Sequence, residues 1–181
     1  MAKRKRINKR VVIVFSALGA VLLMLFTAVA LSKIPQDPEK FAQRAEQARA
    51  DANAAWERGD IPTAREHTRE ALRLLGNAYG ESDENPEYLY RMALIRLDIL
   101  KHNDDLAAVD LREHSQKMYG SLQTALRVAP RHEPSLRMLA GLHWGNAGEA
   151  FRQGSDAAVN LYGRFLEVAE DLRELTPEDA A

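Results

Sequence analysis

The chain has 181 residues, 46% hydrophobic and 28% charged, and no cysteine, which excludes disulfides, thiolate catalysis and cysteine-based zinc sites. Its formal net charge of −1 conceals two unlike parts: six of the 25 Lys and Arg fall in residues 1–31, which hold no acid, while the remaining 19 face 26 Asp and Glu, a net of −7. A body this acidic lacks the clustered cations that a phosphate backbone requires, so nucleic acid is excluded as a partner.

The basic tip, residues 1–10, carries Lys3, Arg4, Lys5, Arg6, Lys9 and Arg10 and leads into an uncharged run from Val11 to Leu31. As a helix rising ~1.5 Å per residue, residues 11–31 span roughly 31 Å, about one hydrocarbon core. A small domain cannot bury such a helix on every side, so the run reads as a transmembrane helix whose partner is membrane lipid. Six cations before the span, against Lys33 alone just after it, keep the N-terminus cytoplasmic. The expectation is a single-pass protein of the plasma or inner membrane with a periplasmic or extracellular C-terminal domain. The alternative is a secreted protein with a cleaved signal, for which Ala28-Val29-Ala30 supplies the small residues. The apolar run is longer than the ~7–15 residues of a signal core, and that length favours the anchor.

After a linker at 32–36, residues 37–176 form an all-α domain, with a short tail at 177–181. Val and Ile are scarce, alternation is absent, and Ala, Leu, Glu and Arg dominate. Six apolar stripes with helical spacing follow in order. The first runs through Phe41, Ala45, Ala48, Ala52 and Ala55, and the second through Ile61, Ala64, Thr68, Ala71, Leu72 and Leu75. Tyr88, Met92, Ile95 and Ile99 make the third, broadened by Leu89, Ala93, Leu97 and Leu100 toward full burial. The fourth contains Leu111, Ser115, Met118, Leu122, Ala125 and Ala129, and the fifth Leu136, Leu139, Ala140, Ala147, Ala150 and Phe151. The sixth is the clearest: Ala158, Leu161, Tyr162, Phe165, Ala169, Leu172 and Leu175.

Asp37-Pro38-Glu39, Asn85-Pro86-Glu87 and Glu133-Pro134-Ser135 each mark a helix start with proline at its first position. Their prolines stand at a constant interval of 48 residues. Turns at Arg58-Gly59-Asp60, 101–104 and Gln153-Gly154-Ser155-Asp156 divide each unit. The pattern predicts three tandem antiparallel helical hairpins, each burying its apolar face against the next.

Ala52, Gly59-Asp60, Ala64 and Ala71-Leu72 in the first unit, and the ending Ala125-Leu126-Arg127-Val128-Ala129-Pro130, resemble the tetratricopeptide repeat (TPR) family. Leu136, Leu139 and Ala140 resemble the start of a further unit. The resemblance implies a TPR-like solenoid whose inner surface binds a protein or peptide, here through Arg49, Asn53 and Trp56. Arg49 and Asn53 resemble the basic-plus-Asn pair with which some members hold a peptide's C-terminal carboxylate. The corresponding second-unit position is Asp98 rather than Asn.

No constellation points to catalysis, a metal or a cofactor. His114 and Asp110 share a helix face, but no second ligand arm accompanies them. Glu66 with Glu70, and Glu167 with Glu170 and Asp171, lie among arginines and read as charge pairs on solvated faces. His143 sits near an apolar face, where a satisfied buried imidazole is expected. Gly141, Gly145 and Gly148 fall within one predicted helix. Each costs roughly 1 kcal/mol against alanine, so close approach of a neighbouring helix is expected there. Thr176-Pro177-Glu178-Asp179 has the form of another helix start, as in the N-terminal part of a longer repeat protein or an edge that docks a partner. The function expected is a membrane-anchored, non-enzymatic scaffold for protein–protein interaction; the alternative is a spacer or oligomerisation module.

Overall fold

The computed structural model describes residues 37–82, 85–102 and 107–175. The basic tip, the span at 11–31, the linker at 32–36 and the tail at 177–181 lie outside the described residues. Everything described belongs to one compact unit, Asp37–Ala181. It is all-α, with six helices and no strand among the described residues: α1 Pro38–Glu57, α2 Ile61–Glu81, α3 Pro86–Lys101, α4 Ala108–Val128, α5 Glu133–Arg152 and α6 Ala157–Leu175. No helix among the described residues is long and apolar enough to cross a membrane.

Local chemistry sets the helix ends. Asp37 and Asn85 cap α1 and α3, each accepting a hydrogen bond from the amide of the glutamate two residues on, at 3.1 and 3.0 Å. Pro38 and Pro86 then occupy positions where no amide donor is lost. The third start differs from the sequence expectation. Glu133 is itself helical, Pro134 stands second, and His132 occupies the cap position without a side-chain cap bond. Glutamate reaches past the amides it would have to cap, and the Glu133 carboxylate instead accepts from Arg137 Nε at 2.6 Å.

Two turns share one device. Gly59 (φ 73°) and Gly154 (φ 66°) adopt left-handed backbone that other residues resist. That reversal lets Asp60 donate to the Ala55 carbonyl, and Ser155 to the Ala150 carbonyl, both at 2.9 Å. Carbonyls left open at the ends of α1 and α5 are thereby satisfied.

Packing follows chain order. The most extensive contacts join α1 with α2, α3 with α4, and α5 with α6, and smaller ones join α2 with α3, α4 with α5, and α1 with α3. The α1 side of the first pair is almost all alanine: Ala42, Ala45, Ala48, Ala52 and Ala55 are buried. Methyl-sized side chains let that helix lie close over Leu74, Leu75 and Ala78 of α2, while Tyr88 and Ile95 of α3 complete the cluster. A second centre comprises Ala93, Met118, Leu122 and Leu139, with Val168 packed against it. Removing a leucine of this kind from water stabilises the fold by about 1.5–3 kcal/mol. Between Pro86 and Leu100 no side chain of α3 is exposed, whereas α6 buries only Ala158.

Candidate functional site

Arg49, Asn53 and Trp56 recur at helical spacing along α1. Arg49 Nε donates to Asp98 Oδ2 at 2.8 Å, and Asp98 is only 9% exposed. Trp56, 8% exposed, stacks on His102 with ring centroids 4.5 Å apart and planes within 2°. The His102 ring in turn binds the Asp98 carbonyl through Nδ1 at 2.9 Å. Asn53 is half-buried one turn from Arg49. The structure thus draws Arg49 and Trp56 around the end of α3, where a carboxylate of the chain itself occupies the arginine.

That contact belongs to a longer chain of charges. Arg49 also lies 4.0 Å from Glu46, and Glu46 is 3.7 Å from Arg91, which pairs with Glu87 at 2.8 Å. Glu87 then meets His132 Nε2 at 3.4 Å, and His132 Nδ1 lies 2.8 Å from Ser135 Oγ. The chain links α1, α3 and the entry to α5. The links Arg49–Asp98, Arg91–Glu46 and His132–Glu87 join positions far apart in sequence, so no local pattern signals them.

A cavity of about 260 Å³ opens between α2, α3 and α4. Trp56, Leu72 and Ile99 supply its apolar wall, and Arg65, Arg69, His102 and His114 are its cationic or titratable lining. Arg96 lies behind, with Nη1 3.5 Å from His114 Nδ1, and its buried Nε has no partner among the described residues. Burial holds the Arg96 guanidinium below its ordinary value, and burial followed by the Arg96 charge holds the His114 imidazole below its own. Among the described residues no group of three His, Asp or Glu could hold a metal ion.

The far end of the domain presents a different surface. Trp144 is 57%, Phe151 71%, Val159 76% and Leu166 64% exposed. Trp144 touches Tyr162 and Phe165 of α6 with ring centroids 5.6 and 5.1 Å away, joining the two helices into one aromatic face. Gly141, Gly145 and Gly148 lie in the same unbroken α5. Close approach of a neighbouring helix was expected at them, yet a Cβ at any of the three would meet nothing within 4 Å. His143 also departs from expectation, because its buried Nδ1 has no partner among the described residues. Two of the surface carboxylates pair as read: Glu70 accepts from Arg73 at 2.7 Å through each oxygen, and Glu170 lies 3.5 Å from Arg173.

No protein-family model matches this chain, and comparison with curated proteins and with solved structures finds no match.

Proposed function

We propose that this protein is a membrane-anchored, extracytoplasmic helical-repeat scaffold, TPR-like in its succession of antiparallel hairpins, that binds a protein or peptide and carries out no catalysis. The anchor and its orientation rest on the apolar run at 11–31 and the six cations before it. The repeat reading is supported by the 48-residue interval and by the packing of the helices in consecutive pairs. The observation that carries the binding role is the aromatic face of the last pair. Soluble proteins rarely leave several large apolar side chains together in water unless something covers them. Because the inner face spends Arg49 on Asp98, the partner surface is assigned to Trp144, Phe151, Val159 and Leu166 rather than to Arg49, Asn53 and Trp56.

Affinity capture on the full chain from detergent-solubilised membranes tests this. The expected result is one or a few specific proteins, lost when Trp144→Ala and Leu166→Glu are combined. Recovery of no specific protein, or recovery indifferent to those substitutions, overturns the reading. A second copy of the chain is the alternative occupant favoured by the three open glycines beside Trp144. Sedimentation of the purified chain would then show a dimer that the same substitutions dissociate.

A further inference from the structure

A second cleft, of about 680 Å³, lies where α4, α5 and α6 meet, and each helix gives it one polar edge. Tyr119 comes from α4, His143 and Asn146 from α5, and Arg164 and Glu167 from α6. The volume falls within the ~300–1,000 Å³ range of small-molecule sites.

Most of these groups have hydrogen-bonding capacity left over. Asn146 Nδ2 donates to Tyr119 Oη at 2.7 Å, which leaves the phenolic O–H and the second amide N–H free to donate. The His143 ring lies 5.9 Å from the Tyr119 ring, with its buried Nδ1 unpartnered among the described residues. Arg164 is exposed, and no carboxylate among the described residues forms an ion pair with it. Its charge nevertheless reaches both Tyr119 and His143. Burial raises the Tyr119 phenol above its ordinary value and, with Arg164, lowers the His143 imidazole, so one stays a protonated donor and the other a neutral ring at pH 7.

One cation and two free donors lining one open space describe an oxyanion site. Glu167 refines the class. It stands three residues beyond Arg164 and acts on His143 in the opposite sense, so a second negative charge on the ligand meets repulsion. Leu161 and Val168, half-buried on the same helix, offer an apolar wall for a short hydrocarbon body.

We infer that this cleft binds a monocarboxylate, whose oxygens accept from Arg164, the Tyr119 hydroxyl and the free N–H of Asn146, with the His143 ring lining the site beside them. The carboxylate belongs to a free small acid or to an acidic side chain of a protein partner. The site holds whether or not the aromatic face of α5 and α6 carries a partner, because it uses none of the exposed apolar residues there.

The test titrates the full chain in detergent with three probes: benzoate, inorganic phosphate, and an N-acetylated, C-amidated peptide bearing one glutamate. The imidazole signals of His143 are followed by NMR, and binding by calorimetry. Benzoate is expected to saturate and to move the His143 signals while those of His67 on α2 stay fixed. Arg164→Gln, on an exposed position that does not threaten folding, should weaken it about tenfold or more, and Tyr119→Phe about fivefold. Benzoate alone identifies a free acid, and the glutamyl peptide binding as well identifies a partner side chain; both outcomes support the site. Unmoved His143 signals, unchanged binding to Arg164→Gln, or phosphate binding as tightly as benzoate would each overturn it.

Discussion

Arg49 on α1 donates its Nε hydrogen to Oδ2 of Asp98 on α3 at 2.8 Å, joining positions 49 residues apart. The guanidinium marked for a peptide's carboxylate already holds a carboxylate, and that carboxylate is nearly out of solvent. Removing the arginine leaves that carboxylate nearly buried with only the exposed Lys101, 3.9 Å away, to oppose its charge. Arg49→Ala should therefore destabilise the domain by about 3 kcal/mol, read as a lowered urea midpoint with an unchanged slope. Asp98→Asn should cost less, since a neutral amide oxygen still accepts from Arg49. Loss of under about 0.5 kcal/mol in Arg49→Ala would place the pair among ordinary surface contacts.

The same pair shows which parts of the molecule are legible in sequence. Stripes and caps are local: Asp37 and Asn85 reach amides two residues away, and Ala42 to Ala55 need only helical spacing to share a face. Arg49 and Asp98 both drew attention by position, but their union depends on how α1 settles against α3, which no spacing within either helix encodes. The sixth stripe carries the opposite lesson. Its periodicity is the cleanest in the chain, yet α6 buries only Ala158. A stripe specifies the face that turns inward, while burial depends on having surface on the other side. For the same reason the glycines of α5 could be placed in one helix but not given neighbours.

Those glycines give a sharp expectation. Because an added methyl at Gly141, Gly145 or Gly148 meets nothing within 4 Å, each change to alanine should stabilise the isolated domain by about 0.5–1 kcal/mol. Gly59→Ala and Gly154→Ala should do the reverse, by about 1 kcal/mol, because their positive φ disfavours a Cβ. Thermal unfolding of the five variants separates the two classes. If the three α5 variants raise the melting temperature while weakening partner capture, the open face is an intermolecular one.

Acid should weaken the fold before its surface carboxylates titrate. His114 and His143 are held below the ordinary value of 6.5, first by burial and then by Arg96 and Arg164 respectively. The unfolded chain takes up these protons near pH 6.5 and the folded one resists, so below that pH the unfolded state binds more protons. Stability contributed by the neutral rings is complete above about pH 6.5 and is lost as pH falls below it through the lowered values of the folded rings. Glu113, Asp110 and Glu167 oppose the shifts without reversing them. Glu70, Glu113 and Glu149, held below 4.5 by Arg73, Lys117 and Arg152, act only at lower pH. Melting temperature should drop across that window in the parent and run flatter in His114→Gln/His143→Gln. An identical slope in both would assign the acid sensitivity to other groups.

Uneven burial along the domain predicts uneven resistance to opening. α3 has neighbours on every side, whereas α6 rests chiefly on α5 and leaves Val159 and Leu166 in water. Amide hydrogens of α6 should exchange well before those of α3, because local opening there exposes little surface that is not already wet. Leu122, fully buried, should cost about 3 kcal/mol when replaced by alanine. Leu161, half-buried on α6, should cost about 1 kcal/mol in the isolated protein. Binding a partner across the last pair would change both readings in one direction: α6 exchange slows and the penalty for Leu161→Ala grows, while Leu122→Ala is unaffected. Equal protection of α3 and α6 in the free chain would mean that the last pair is already closed, and the aromatic face would lose its claim as a docking surface.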